Sequence, residues 1–485
     1  MNIGFVSLGC SKNLVDTEMM IGLFKEQAYN IVNNPSVADI ILINTCGFIE
    51  SAKEEAINTI LEMAEYKKNR CKYIIATGCL VKRYKEELEA ALPEVDLFIS
   101  CDDYNRFWKE VEKLILTEEK TSSCSLEYDK RVITTGDKMA YLKIAEGCSN
   151  RCTYCAIPNI RGPFVSRKIE DILKEAKELA NKGIKELIVI AQDTTKYGID
   201  IYGEPKLAEL LDRLCKIEGI EWVRFLYSYP ETITEELIKV VKNNDKICKY
   251  FDIPIQHISN TVLKRMNRKS NEETIKDLMK NIRKEIPEVI LRTTVIVGFP
   301  GETTEDFNKL YEFIKETKFD KLGAFMYSKE DGTPAARLKE QIHPQTKKSR
   351  YNKIMKVQQE ISKNNLESKI GKVYKTLIEG VSFDGKYYIG RTYMDVPDMD
   401  GVVFIENENK TKDKIGEFVN CKITEVRDYD LVGKFEENWK MIKRAVSTAL
   451  FINSKTIFHL WIGCLSLNCF LIFLVLITKL SHMKT

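Results

Sequence analysis

Apolar and polar positions divide the chain into three stretches of different period and a terminal apolar run. From Asn2 to about Leu116, the β-branched runs NIGFVSLG, ADIILINT and KYIIATG alternate with amphipathic stretches such as SAKEEAINTILEMAEY. Strands separated by helices at this interval predict a small parallel α/β sheet. The segment TEEKTSSCSLEYDKRVITTGDK is polar, holds no sustained period and reads as a linker. From Met139 to about Leu366 the alternation resumes with AYLKIAEG, ELIVIAQD, VRFLYSY, YFDIPIQH, LRTTVIVGF and LGAFMYS as candidate strands. Helical patterns separate them, and the one in IEDILKEAKELANKG ends on Gly183, as a helix C-cap does. Six strand-helix units in roughly 230 residues fall short of the ~250 usual for a complete eight-stranded barrel, so an open, partial (βα)6 barrel is expected.

Between Gly371 and Gly433 the pattern changes to short strands with glycine and aspartate turns, as in KTLIEGVSFDGKYYIGRTY and GVVFIENEN. That predicts a small antiparallel β-barrel. The expected organisation is therefore 1–118, an N-terminal α/β domain; 119–138, a linker; 139–366, the partial barrel; 367–434, the β-barrel; and 435–485, a tail whose apolar run spans 457–478.

Composition narrows this picture only locally. Charged residues make up 30% of the 485 and the net charge is +3, so no global excess marks a nucleic-acid binder or an acidic-substrate trap. The fourteen cysteines do not fit a secreted disulfide scaffold, because the chain is far longer than such scaffolds and opens on a strand without a signal peptide. A cytoplasmic location is expected, where ordered cysteines read first as metal or redox ligands.

Spacing separates the cysteines. In EGCSNRCTYCAIP, Cys148, Cys152 and Cys155 stand as C-x3-C-x2-C directly after a candidate strand. Three thiolates suit a 4Fe-4S cluster and leave its fourth iron without a protein ligand. S-adenosylmethionine can chelate that iron through its amino and carboxylate groups, placing its sulfonium where one electron breaks a carbon-sulfur bond. A zinc or electron-transfer site would want a fourth ligand, and AIPNIRGPFVSRK supplies none. Cys10, Cys46 and Cys79 each end one of the first three candidate strands. The carboxyl ends of parallel strands share one edge, so these three can converge on a second cluster, again with an open iron where exogenous sulfur could bind. Cys71, Cys101, Cys124, Cys215, Cys248, Cys421, Cys464 and Cys469 show no such order and read as structural.

SLGCSKNLVDTE, NTCGFIESAKEE, ATGCL, LKIAEGCSNRCTYCAIPNIRGPFVSR, IPIQHISNTVLKRMNR, IVGFPGET and YSKEDGTPAA resemble the methylthiotransferase family of radical S-adenosylmethionine enzymes, over residues 1 to about 434. The resemblance implies an auxiliary 4Fe-4S cluster on Cys10, Cys46 and Cys79, a radical domain, and a C-terminal barrel of the TRAM type. It also implies two uses of S-adenosylmethionine: one methylates sulfur, the other yields a 5'-deoxyadenosyl radical that takes hydrogen from an unactivated carbon. One branch of the family modifies a tRNA adenosine; the other modifies the β-carbon of an aspartate in ribosomal small-subunit protein twelve. IPIQHISNTVLKRM, AQDTTKYGID and YSKEDGTPAA look like the ribosomal-protein branch. A two-cluster electron carrier is the rival from another class, though saturated clusters would suit it better. The electron donor implied is a flavodoxin or ferredoxin.

Other assignments are looser. Gln192 and Asp193, at the end of the second barrel strand, are expected by position to meet the methionine amino group; the family resemblance implies that Gly298, Pro300, Gly301 and Glu302 approach the adenosine. His257 stands either to face substrate or to cap a loop; Arg161 and Arg167 stand either to hold a carboxylate or to solvate a face. Residues 371–433 carry nine Lys and Arg against twelve Asp and Glu. A tRNA-gripping module should be basic, so this one, with Asp395, Asp398 and Asp400, suits a basic ribosomal protein better and no direct tRNA substrate is expected. The 457–478 run is 22 residues, about 33 Å as a helix and long enough to span a bilayer. Lys440, Lys443 and Arg444 before it would keep the enzyme on the cytoplasmic side. The family pattern stops near Gly433, and His459 and Asn468 weaken a span, which favours a fused or frameshifted segment over a tail anchor.

Overall fold

The structure, a computed structural model, describes residues 1–115, 124–407 and 411–436. The apolar run, the cations before it and part of the linker lie outside the described residues. Among the described residues, no helix is long and apolar enough to cross a membrane.

The N-terminal unit is a five-stranded parallel sheet. It consists of β1 Asn2–Ser7, β2 Asn30–Ile31, β3 Ile40–Thr45, β4 Tyr73–Gly78 and β5 Leu97–Ser100, in the order β2-β1-β3-β4-β5. Helices α1 Ser11–Glu26, α2 Glu50–Ala64, α3 Cys79–Ala91 and α4 Phe107–Ile115 cover it. Strand β3 is buried along its whole length, which is why it reads as a continuous apolar run rather than an alternation. Ile41, Ile43 and Ile74 pack one face with Ala56 and Leu80; Leu42 and Ile75 pack the other with Phe24 and Trp108. The strand order turns back between β1 and β3, and ligands of open α/β sheets gather at the carboxyl ends beside such a switch.

All six candidate strands of the middle unit are present. They are β6 Met139–Lys143, β9 Glu186–Ile190, β10 Trp222–Phe225, β11 Tyr250–Asp252, β12 Ile290–Val297 and β13 Lys321–Met326. They pair in parallel as two three-stranded sheets, β10-β9-β6 and β11-β12-β13, with β10 linked by a single bridge, Val223 to Ile247, to the segment just before β11. Among the described residues β6 and β13 do not pair, so the barrel is open. A short antiparallel pair, β7 Ala145–Glu146 with β8 Val165–Ser166, brackets helix α5 Ile157–Arg161. Along the strands Ala140, Leu142, Leu187 and Val189 face the outer helices. Tyr141, Ile188, Trp222 and Tyr250 face inward, where they pack on Leu377, Ile378, Met394 and Leu431 of the third unit.

That third unit is a closed five-stranded barrel. Strands β14 Val373–Val381, β15 Tyr387–Thr392, β16 Val403–Glu406, β17 Phe418–Arg427 and β18 Asp430–Phe435 run in the order β14-β15-β16-β18-β17. The expected antiparallel pairing is interrupted once, by the parallel pair β16 and β18. The barrel stops the lower end of the partial barrel. Glu186 there accepts from Arg224 Nε at 3.0 Å and from Arg391 Nη2 at 2.6 Å, all three side chains being fully buried. The acidic cluster is largely spent on the same docking: Asp395 pairs with Lys321 at 2.8 Å and Asp400 accepts from Tyr250 Oη at 2.7 Å. Asp395 and Asp400 are thus not free to meet a basic partner, and the charge argument for one loses these two residues.

The N-terminal unit reaches both edges of the open barrel. Beside β6, Asp16 of α1 pairs with Lys143 and Arg161. Beyond β13, Glu330 pairs with Arg83 at 3.2 Å and lies 3.9 Å from Lys53. The motif YSKEDGTPAA therefore clamps one unit to another.

Candidate active site

Cys10 precedes α1, Cys46 follows β3, and Cys79 is the first residue of α3 after β4. Because β1, β3 and β4 are neighbours, all three cysteines stand on one sheet edge. Gly9 is in the left-handed region at φ +88°, and a Cβ there would fall 2.6 Å from Cys46 Cβ and 2.9 Å from its Sγ. Only glycine lets Cys46 pack against the turn that carries Cys10. Asn13 knits the edge by donating to the carbonyls of Leu8 at 3.1 Å and Thr45 at 3.0 Å, while its Oδ1 lies 3.6 Å from Cys79 Sγ. Burial pushes the Cys79 thiol up to about 12 and raises that of Cys46. At Cys10, desolvation is outweighed by the Lys12 ammonium and the Asn13 backbone N–H, and the thiol falls below its ordinary value.

Cys148, Cys152 and Cys155 lie on the loop between β7 and α5. Gly147 has φ +73°, and a Cβ on it would strike the Pro163 carbonyl at 2.0 Å. The Cys148 N–H donates to Gly162 and the Cys155 N–H to Cys152, closing the loop on itself. Three neighbouring segments brace it. Asn150 donates to Asp193 Oδ2 at 2.8 Å, the Thr153 hydroxyl donates to the Arg265 carbonyl at 2.8 Å, and Cys152 Sγ lies 3.6 Å from Tyr229 Oη. Burial pushes the Cys155 thiol up to about 12 and raises Cys148.

One side chain joins the two sets. Arg161, on the helix that starts two residues after Cys155, donates Nε to Cys79 Sγ at 3.4 Å and Nη1 to Asp16 Oδ2 at 2.6 Å. Its Nη2 donates to Asn13 Oδ1. Its side chain is buried and holds a carboxylate of the chain itself, that of Asp16, rather than solvating a face. Arg167 is likewise internal, paired with Glu175 at 2.6 Å. Cys101, which the sequence left unordered, follows β5 and touches Cys79, Ala156 and Ile160 at the same seam.

The remaining candidates are placed as follows. Gln192 donates to Glu146 at 2.8 Å, and its Oε1 is buried without a partner. Asp193 is buried, held between Asn150 and the Thr195 hydroxyl, and so supports the cysteine loop. Glu302 folds back to accept from the amides of Gly298 and Phe299, with burial raising its carboxyl to about 7; Pro300 accepts from Arg265, and the Gly301 N–H donates to the Glu340 carbonyl. The turn after β12 is thus secured from within. His257 is fully buried, its Nδ1 accepting from the Ser259 amide at 3.0 Å and its Nε2 unpartnered. It caps a loop.

Comparison with known proteins places this geometry. The N-terminal unit matches the model of Uncharacterized protein family UPF0004 over residues 2–100, the partial barrel that of the Radical SAM superfamily over 142–314, and the last barrel that of the TRAM domain over 370–435. Over 434 residues, 90% of this chain and 99% of the relative, it is 67% identical to the ribosomal protein uS12 methylthiotransferase RimO of Alkaliphilus oremlandii. The chain belongs to the RimO family of radical SAM methylthiotransferases. The RimO of Clostridium novyi is 53% identical over 436 residues, covering 89% of this chain and 97% of that one. Among solved structures, the radical S-adenosylmethionine methyltransferase TsrM of Kitasatospora setae matches with TM-score 0.52 at 10% identity, covering 69% of this chain and 76% of that one, a likeness of fold.

A RimO-family enzyme uses 4Fe-4S clusters and S-adenosylmethionine, and the donors here fit that need. Among the described residues no three His, Cys, Asp or Glu side chains could hold a single metal ion. Two separate sets of three thiols, each on a glycine-tightened edge, suit the wider four-iron cube. A thiol held neutral by burial gives up its proton when iron binds, so the raised values at Cys79 and Cys155 do not stand against iron ligation there.

Proposed function

We propose that this chain inserts a methylthio group at the β-carbon of an aspartate of ribosomal protein uS12, with Cys148, Cys152 and Cys155 holding the radical cluster and Cys10, Cys46 and Cys79 the auxiliary one. When bound, the first cluster supplies the electron that splits S-adenosylmethionine, and the second an open iron for the sulfur to be inserted. No side-chain acid or base can remove hydrogen from such a carbon, so the polypeptide's work is placement and exclusion of water. Asn150, Thr153 and Tyr229 hold the cysteine loop at the barrel mouth. The N-terminal unit closes that mouth from both barrel edges, and Arg161 keeps the two cysteine sets in register.

The observation that carries this reading is the Arg161 bridge, which brings the sulfur-bearing edge to the radical loop. We further propose a cytoplasmic enzyme that draws electrons from a flavodoxin or ferredoxin, with Gln192 and Gly298 nearest to S-adenosylmethionine. The test is a pair of variants. Cys10→Ala should still cleave S-adenosylmethionine but insert no sulfur, whereas Cys152→Ala should do neither. Full product from the Cys10 variant would refute the sulfur role of the N-terminal set.

A further inference from the structure

A buried ammonium or guanidinium is costly unless an anion faces it. Every other buried lysine or arginine among the described residues, from Lys53 to Arg391, lies against a carboxylate. Lys12 does not. Only 8% exposed, it has no carboxylate within ion-pair distance, and its ammonium sits 3.5 Å from the centre of the Tyr227 ring. It also lies in the first turn of α1, where the helix dipole disfavours a cation. Facing it is the Cys10 thiol, which its charge lowers, and no carboxylate shares it.

Its position explains it better. Lys12 is two residues past Cys10, while Tyr227 belongs to the loop after β10 at the carboxyl end of the partial barrel. Tyr227 is held in the left-handed region at φ +62°, a strained conformation for a tyrosine. Its amide is fixed by Asp252 at 2.9 Å, and its carbonyl accepts from the Thr194 N–H, next to the Asp193 that holds Asn150 of the cysteine loop. The ammonium, without a carboxylate partner, thus stands between the Cys10 edge and the loops that brace Cys148, Cys152 and Cys155. That is where a carbon must lie to lose hydrogen on one side and gain sulfur on the other.

We propose that Lys12 receives the side-chain carboxylate of the target aspartate and so selects an acidic side chain for modification. This rests on the uS12 reading above. A carboxylate one bond from the reacting carbon would give the ammonium the carboxylate partner it lacks among the described residues, with the tyrosine face beneath it.

The test uses the full-length enzyme with both clusters reconstituted, as wild type, Lys12→Met and Lys12→Arg. KM is measured with uS12, and the inhibition constant with uS12 carrying asparagine at the modified position; iron and sulfide content and the KM for S-adenosylmethionine are measured alongside. K12M should raise the KM for uS12 by about tenfold to a hundredfold, the worth of a charge-assisted contact, and K12R should restore part of it. The inhibition constant of the asparagine form should be the same for wild type and K12M. An unchanged KM for uS12, an equal penalty on both forms, an effect confined to S-adenosylmethionine, or loss of iron from K12M would overturn the proposal. A wild-type enzyme that leaves uS12 unmodified would overturn the functional reading and this inference with it.

Discussion

Replacing Arg161 by methionine removes the three donors that tie the helix after the C-x3-C-x2-C loop to Cys79, Asp16 and Asn13 of the N-terminal unit. Asp16 is 1% exposed and the arginine 4%, so the pair lies out of water. Removing one partner from such a pair costs about 3–5 kcal/mol. Lys143 remains against Asp16 and keeps it compensated, which places Arg161→Met near the lower figure, about 3 kcal/mol, with Asn13 Oδ1 and Cys79 Sγ left without their donor. Arg161→Lys keeps the charge, but one ammonium cannot satisfy three acceptors spread around a planar fork; its loss should be about 1–2 kcal/mol. Urea denaturation of the three proteins at equal cluster content measures both, and hydrogen exchange should show faster opening of α1 and α5 in particular. An Arg161→Met protein within about 0.5 kcal/mol of wild type would refute the bridge as a structural element.

Two further outcomes follow from the same geometry. His257 is held neutral by burial, its value lowered to about 3, whereas the unfolded imidazole takes a proton below about 6.5. The unfolded state then binds more protons in that window, so wild type should lose stability as pH falls from about 6.5 toward 3, and at pH 5.5 by about 1.4 kcal/mol that His257→Gln does not lose; parallel urea curves at pH 5.5 and 7.5 would show a flat difference if the imidazole were solvated. Gly9→Ala should push Cys46 off the sheet edge and halve the iron content after reconstitution, because the added carbon meets its Cβ at 2.6 Å. A full complement of iron in that variant would contradict the placement of Cys46.

What could be read from the sequence was what is local or periodic. The six barrel strands and the C-x3-C-x2-C loop announce themselves within a dozen residues. So do the runs at β1, β3 and β4, whose shared direction already put Cys10, Cys46 and Cys79 on one edge. Strand β2 has two residues and β5 four, too short for any alternation to register, and the parallel pairing of β16 with β18 leaves no mark in either segment. The contacts that assemble the site lay out of reach for another reason. Arg161 with Asp16, Arg83 with Glu330, Glu186 with Arg391 and Lys12 with Tyr227 each join distant positions on different units, and no spacing rule connects them. The inward turn of His257 and Glu302, whose side chains accept from backbone amides of the turns on which they sit, was also not announced by their positions beside strand ends.

The central claim is that two cysteine sets joined across one barrel mouth put sulfur on a protein carbon. It is tested most directly by incubating the reconstituted enzyme, S-adenosylmethionine and a reductant with unmodified small ribosomal subunits and with tRNA, then analysing both by mass spectrometry. The expected result is one uS12 peptide heavier by a methylthio group in place of hydrogen, localised to an aspartate, with every nucleoside unchanged. The same mass gained by a tRNA adenosine, with uS12 untouched, would contradict it.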